Sequence, residues 1–311
     1  MMTADATYHI PALLGETIEL LKIRPDGTYV DCTFGGGGHS RAILDRLGPD
    51  GRLFGFDRDM DALANAPQDP RFTFVHGDFR YISNFMEYYG VEHVDGILAD
   101  LGVSFHHFDT PERGFSFRAD GPLDMRMNRE GLLTAKTIVN TKSETDLRDI
   151  FRRHTDLKNA GSIAKAICIA RREREIDTTT RLAEVVAPAL GQKNFKKDLA
   201  QVFQALRIVT NDEMSSLRIL LESSLSLLAI HGRIAILTYH SGEDRLVKEF
   251  FKNGSFDARP DTETLIYGKS TSPWKLITGS PVVASDAEVL ANPRSRSAKL
   301  RVAELVKHPR K

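Results

Sequence analysis

Short apolar runs alternate with amphipathic stretches over the first hundred residues, which predicts an α/β protein with a mostly parallel, Rossmann-like sheet. Two further observations complete the expectation. Strand signals vanish from about Leu101 to Leu206, and they return only near Arg233 and again near Lys299. The economical reading is one sheet interrupted by an inserted helical domain of about a hundred residues. The expected division is a discontinuous α/β domain over 1–104 and 207–311, with the helical insertion over 105–206.

Taken in order, Ile10, Leu13, Leu14, Ile18 and Leu21 make a helical stripe that Pro25 and Gly27 end. Thr28 to Asp31 reads as the first strand, and glycines 35–38 lead from it into a helix carrying Ala42, Ile43 and Leu47. The cycle repeats as strand Arg52 to Phe56 and helix Asp59 to Ala66, stopped by Pro67. It repeats again as strand Phe72 to Val75, helix Ile82 to Tyr89 and strand Val94 to Ala99. Four strands separated by helices imply right-handed crossovers and parallel pairing. Inside the insertion, helices are expected at Asp146 to Arg153, Ser162 to Arg174 and Arg181 to Leu190, the first capped by Ser143-Glu144-Thr145-Asp146. A long helix then starts at a capping box, Thr210-Asn211-Asp212-Glu213, and carries Leu217, Leu221, Leu225 and Leu228 at core spacing. The sheet resumes with strand Arg233 to Tyr239, helix Arg245 to Phe251 and a last strand near Lys299 to Val306.

Composition sets the bounds. Of 311 residues, 41% are apolar and 27% charged, which excludes a disordered chain, a collagen-like repeat and a disulfide-dense mini-protein. Lys and Arg total 42, as do Asp and Glu, so the chain does not coat nucleic acid by bulk charge. That zero hides a segregation. Residues 292–311 hold seven bases against Glu304 alone, leaving 35 bases and 41 acids in the rest of the chain. The start has neither the basic region nor the apolar core of a signal peptide. No stretch approaches the roughly 18 apolar residues that span a bilayer. Cys32 and Cys168 lack CxxC neighbours and read as reduced thiols, and adjacent His106 and His107 do not suit a zinc site. A cytoplasmic protein with no membrane partner and no metal is expected, with monomer and homodimer both open.

The strongest local signal is Val30-Asp31-Cys32-Thr33-Phe34-Gly35-Gly36-Gly37-Gly38-His39. A strand ending in glycines before a helix lets a ligand approach bare backbone. Asp57, 21 residues after Gly36 at the end of the second strand, can accept hydrogen bonds from both ribose hydroxyls of a nucleotide-like cofactor. Taken alone, the glycines could be a plain loop and Asp57 a helix cap. A dinucleotide fingerprint needs a third Gly or Ala, and the two positions that could supply it are Ser40 and Arg41, so NAD fits poorly. S-adenosylmethionine fits better. It would use Asp57 for ribose, Gly77-Asp78-Phe79 for adenine, and Asp100 for the methionine and the acceptor. Asp78 by itself could equally be a loop acid.

The acceptor narrows by exclusion. Methylating C5 of a pyrimidine needs a cysteine nucleophile near the fourth strand, and neither cysteine is placed there. An exocyclic amine needs only hydrogen-bond acceptors on its NH₂ group and alignment of nitrogen, methyl and sulfur. Asp100, followed by Leu101-Gly102-Val103, is the candidate catalytic acceptor, the alternative being a strand cap.

Several longer words then point to one family. They include Asp95-Gly96-Ile97-Leu98-Ala99-Asp100-Leu101-Gly102-Val103-Ser104, Asp120-Gly121-Pro122-Leu123-Asp124-Met125-Arg126-Met127, and Phe203-Gln204-Ala205-Leu206-Arg207-Ile208. The last is Asn292-Pro293-Arg294-Ser295-Arg296-Ser297-Ala298-Lys299-Leu300-Arg301. With His9 to Leu14, the glycine loop and Arg113 to Phe117, they make the chain resemble the ribosomal RNA small subunit methyltransferase H family along nearly its whole length. The resemblance implies a class I methyltransferase fold with a helical insertion after the fourth strand. It implies S-adenosylmethionine contacts at Gly37, Gly38, His39, Asp57, Phe79 and Asp100, and at His107, where the family usually has Gln. It also implies methylation of N4 of a cytosine in the decoding region of 16S rRNA, at the ribosomal P site.

RNA-facing residues are argued from charge and chemistry. Arg294 and Arg296 alternate with serines beside a predicted strand and suit an ordered phosphate clamp, with Lys299, Arg301, Lys307, Arg310 and Lys311 adding charge. Lys165, Arg171, Arg172 and Arg174 form a second basic stretch. A flipped cytosine needs a pocket; Phe105, Phe108, Phe115 and Phe117 could stack or seal it, although aromatics are more often core. Asp124 and Arg126 could hold the Watson–Crick edge, and His240 with Ser241 could close the cleft. A small-molecule methyltransferase would not need the basic C-terminus, and a noncatalytic RNA-binding assembly factor would bind rRNA without methyl incorporation.

Overall fold

The structure, a computed structural model, describes residues 11–256 and 272–308. His9, Ile10, Arg310 and Lys311, and the side chains of Phe105 and His106, lie outside what it describes. The chain divides into two compact units, residues 1–102 with 215–311, and residues 103–214.

The first unit holds one sheet of eight strands among the described residues. They are β1 (Thr28–Asp31), β2 (Arg52–Asp57), β3 (Phe72–His76), β4 (Val94–Asp100), β5 (Leu228–Thr238), β6 (Trp274–Leu276), β7 (Val282–Val283) and β8 (Lys299–Leu305). Their order is β3-β2-β1-β4-β5-β8-β6, with β7 also pairing β8. The run from β3 to β5 is parallel, and β8 is antiparallel to β5, β6 and β7. This is the class I methyltransferase fold. The order reverses between β1 and β4, and in open α/β sheets ligands bind outside the carboxyl ends of strands at such a switch point.

Parallel strands buried on both faces read as apolar runs, and alternate side chains feed two cores. Val30, Phe54, Phe56 and Ile97 face a core shared with Ile82, Met86, Leu217, Leu221, Val247 and Phe250. These come from helices α3 (Ile82–Tyr88), α10 (Glu213–Leu227) and α11 (Ser241–Asn253). Tyr29, Leu53, Leu98 and Leu237 face the other core with Ile18, Leu21, Ile43 and Leu44 from α1 (Leu14–Leu21) and α2 (Gly38–Leu44).

The second unit is helical: α4 (Phe105–Asp109), α5 (Ala135–Thr141), α6 (Glu144–His154), α7 (Ala160–Glu173), α8 (Thr179–Val186) and α9 (Phe195–Thr210). It has its own core, with Ile138, Leu147, Phe151, Ile163, Ile167 and Leu206 buried together. The expected cap is present: Ser143 accepts from the Asp146 amide while Asp146 reaches back to the Ser143 amide.

Three local expectations need correcting. Residues Met60–Asn65 form a 3-10 helix instead of an α-helix. Thr210 closes α9 instead of capping α10, because the Asn211 side chain is taken up by the Met125 carbonyl, the Arg207 carbonyl and the Met127 amide. β5 starts at Leu228, five residues early, with a register shift against β4 and His231 at φ 70. The strand expected near Lys299 is present as β8, between β5 and β6. β6, β7 and a short helix α12 (Asp286–Ala291) were too brief to show a period. Among the described residues no helix is long and apolar enough to cross a membrane.

Candidate active site

The glycine loop after β1 divides its work residue by residue. Gly37 sits at φ 75 and caps α2, a conformation that disfavours any residue with a Cβ. Gly38 is bare for packing, since a Cβ there would stand 2.3 Å from Pro11 Cγ. Gly36 needs neither, and a Cβ there would meet nothing within 4 Å. Its backbone faces open space, as close ligand approach requires. The loop is braced by Asp31, which is buried and accepts the Thr33 amide at 3.1 Å and the Ser40 hydroxyl at 2.7 Å. Burial pushes the Asp31 carboxyl above its ordinary range, even though His39 and these bonds favour its charge.

Asp57 is joined to that loop. One oxygen accepts the Gly35 amide at 2.8 Å and the other accepts the Asp59 amide at 2.8 Å. A carboxylate offers about four acceptor positions, and these two backbone bonds fix its orientation at the end of the strand. Asn65 and Arg41 fix the loop further by donating to the Gly35 and Gly36 carbonyls at 3.0 and 2.7 Å.

At the switch point, β4 ends on Asp100. Its amide donates to Thr33 Oγ1 at 2.7 Å, tying it to the glycine loop, and its Oδ1 accepts the Gly102 amide at 3.0 Å. His39 Nδ1 lies 3.9 Å from Asp100 Oδ2. His39 is buried, and its Nε2 has no hydrogen-bond partner among the described residues, which leaves a polar atom for a ligand to satisfy. The Tyr239 phenol also faces Asp100; burial, then the Asp100 charge, pushes it far above its ordinary value. Thr33 and Tyr239 were not singled out from the sequence.

The third strand end differs in kind. Asp78 is committed to protein partners: Arg58 Nη2 at 3.1 Å, the Arg80 amide at 2.9 Å, Arg80 Nε at 2.7 Å and Ser216 Oγ at 3.2 Å. Its acceptor positions are filled. Phe79 is buried beside it, with the Arg58 guanidinium 5.2 Å over the ring. What this strand end offers a ligand is Phe79, held in place by an acid and two arginines.

Among the substrate candidates, Asp124 and Arg126 hold one another. Arg126 Nε and Nη2 donate to the two Asp124 oxygens at 2.7 Å each, and its Nη1 donates to the Arg129 and Gly131 carbonyls. Burial opposes charge on Asp124, but the Arg126 bonds outweigh it and hold the carboxyl below its usual range. The pair shapes a loop in the helical unit. His107, in that same unit, is buried and stacked on Phe115 with ring centroids 4.6 Å apart. Phe117 packs edge-on to Phe203 as core, while Phe108 is exposed. Arg171 is spent on the Val139 carbonyl at 2.7 Å.

His240 caps α11, its Nε2 3.0 Å from Glu243 Oε1, and Ser241 is the first residue of that helix. In the basic end, Arg301 is buried and donates to Asp244 at 2.7 Å, with Lys299 at 3.4 Å from the same acid. One acid thus serves two bases, Arg301 buried and Lys299 partly exposed. Arg294 and Arg296 are exposed on a 3-10 turn (Pro293–Ser297) anchored by buried Ser295. The structure thus brings Gly36, Asp57, His39 and Asp100 around one set of strand ends.

A family model, the MraW methylase family, matches residues 6–306. Two curated proteins named ribosomal RNA small subunit methyltransferase H are similar over essentially their full length. One, from Parabacteroides distasonis, is 53% identical and covers 98% of this chain and 100% of its own. Another, from Flavobacterium johnsoniae, is 51% identical with the same coverage.

Proposed function

We propose a function for this chain, which belongs to the MraW methylase family: methylation of the N4 amine of a cytosine in the P-site decoding region of 16S rRNA, with S-adenosylmethionine as donor. The substrate is naked 16S rRNA or the small ribosomal subunit, and the work is done in the cytoplasm. The observation that carries the reading is Asp100 at the switch point, tied through Thr33 to the open glycine loop and set beside His39.

The residues present fit the cofactor. Bare backbone at Gly36, a carboxylate at the end of the second strand in Asp57 and, among the described residues, an unsatisfied Nε2 on buried His39 suit an adenosine and an amino acid. Gly36, Gly37, Gly38, His39, Asp57, Phe79 and Asp100 would hold it, with His107 as a further contact and Asp78 acting through Phe79. When bound, S-adenosylmethionine supplies an electrophilic methyl group on a sulfonium.

The chain supplies positioning and a proton acceptor. The lone pair of a cytosine N4 amine is delocalised into the ring, so the amine attacks only when its N–H groups are held by acceptors and its nitrogen is aligned. The Asp100 carboxylate accepts one N–H, keeps the nitrogen facing the methyl and takes the proton that the nitrogen sheds on methylation. Holding the cytosine edge falls to the loop of Asp124 and Arg126, closing the site to His240 and Ser241, and phosphate contacts to Arg294 and Arg296. The helical insertion is the RNA-recognition part.

The test is labelled methyl transfer to unmodified 16S rRNA and to small subunits, followed by nucleoside mass spectrometry. N4-methylcytidine is the expected product; incorporation into another nucleoside, or none into either substrate, overturns the reading. The phosphate contacts have their own test. Arg294→Ala with Arg296→Ala weakens rRNA binding and lowers the slope of log affinity against log salt by about 1.4 to 1.8, the loss of two phosphate contacts. An unchanged slope removes both residues from the interface.

A further inference from the structure

Tyr239 is the first residue beyond β5, one strand over from Asp100. The two strands run in step, with Asp100 opposite Leu237 and the Leu101 amide donating to the Leu237 carbonyl at 3.0 Å. The phenol therefore comes out beside Gly102. A Cβ built on Gly102 would stand 2.9 Å from Tyr239 Cε2 and Cζ and 3.0 Å from Asp100 Oδ1. Ring and carboxylate converge on a position that only a hydrogen fits. The phenol ring is thus the neighbour of the Asp100 carboxylate on this side, and the Gly102 amide donates to Oδ1 from the backbone side.

The tyrosine is held independently of that contact. Its amide donates at 2.8 Å to Glu243, a buried carboxylate that also closes the cap of α11 with His240. Burial and the neighbouring charge keep the phenol protonated well above its ordinary value, so it remains a donor throughout the working pH range.

We propose that Tyr239 is a positioning residue for methyl transfer, its hydroxyl and the Gly102 amide together fixing the Asp100 carboxylate in one orientation before the amine arrives. This rests on the reading of Asp100 as the acceptor of the amine. A carboxylate at a strand end is otherwise free to rotate and to be drawn off by water. Held by two donors, it meets the amine N–H without first losing that freedom, and the gain appears in the chemical step and not in binding.

The test pairs Tyr239→Phe, which deletes one oxygen and keeps the ring, with Asp100→Asn. The expected result for Tyr239→Phe is a kcat lowered about tenfold, the scale of one hydrogen bond to a charged group. KM values for S-adenosylmethionine and for rRNA stay within about twofold, and the melting temperature holds, as no packing is lost. In an Asp100→Asn background the same change has no further effect on residual labelled-methyl incorporation, because there is no carboxylate left to orient. Gly102→Ala, which drives ring and carboxylate apart, lowers kcat in the same way. If Tyr239→Phe keeps full kcat while Asp100→Asn is inactive, the positioning role is wrong and the reading of Asp100 stands. If KM rises instead of kcat falling, Tyr239 belongs to binding and the proposal is overturned. Full activity in Asp100→Asn removes the reading of Asp100 and the proposal with it.

Discussion

Replacing Asp100 with Ala abolishes methyl transfer, lowering kcat by about a thousandfold within the range expected for a positioned proton acceptor, while the protein stays folded. The fold is spared because the Asp100 side chain is partly exposed and its bond to the backbone is a local one to the Gly102 amide, whereas strand pairing at that position is carried by the backbone and by Thr33. The cost falls on the reaction for two reasons. The amine loses the acceptor that orients it, and the nitrogen has nowhere close to send its proton. Asp100→Asn separates the two: its amide oxygen still accepts an N–H, but it takes no proton. A ranking with Asn above Ala and both far below the parent is expected in single-turnover assays with labelled donor. Parental rates in either variant would remove Asp100 from the mechanism.

Asp57→Ala has the second largest effect, on cofactor binding. Two hydrogen bonds from ribose hydroxyls to a carboxylate are lost, each worth about 1.5–3 kcal/mol, so the dissociation constant rises by roughly two orders of magnitude or more. Part of the loss comes from the apo protein, because Asp57 also anchors the Gly35 amide and the Asp59 amide, and the loop loosens without it. Titration calorimetry with S-adenosylhomocysteine reads the change directly, free of any contribution from RNA. Asp57→Asn retains one carbonyl oxygen and is expected midway between the parent and Ala. A shift under threefold for Ala would show that the ribose is held elsewhere. kcat at saturating donor changes less than KM, which distinguishes this residue from Asp100.

The parallel strands were legible in the sequence because their signals are local. Arg52–Asp57 and Val94–Asp100 are apolar runs between turn residues, and burial on both faces demands that pattern wherever the run occurs. The glycine loop was legible for the same reason, and Gly36, Asp57, His39 and Asp100 emerge around the strand ends that the crossover rule assigns them. The short strands β6 and β7 were not legible, since three or two residues carry no period. The extra length of β5 depends on a bulge at His231 that no pattern announces.

Charges told the least by themselves. Asp78, Asp124, Lys299 and Arg301 look in the sequence like any polar residues beside a strand or in a loop. Tertiary contacts separate them. Asp78 meets Arg58 and Ser216, 20 and 138 residues away in the chain, and Arg301 meets Asp244, 57 residues away. Such pairings brace the fold through partners that no local pattern announces. The sequence by itself determined the alternating sheet, its helical insertion, the bare loop and the acids at the strand ends, because periodicity and turn chemistry act between near neighbours. Only the tertiary structure decided which partners those acids take, and that Tyr239 and Asp100 converge on Gly102, because a charge finds its partner through space.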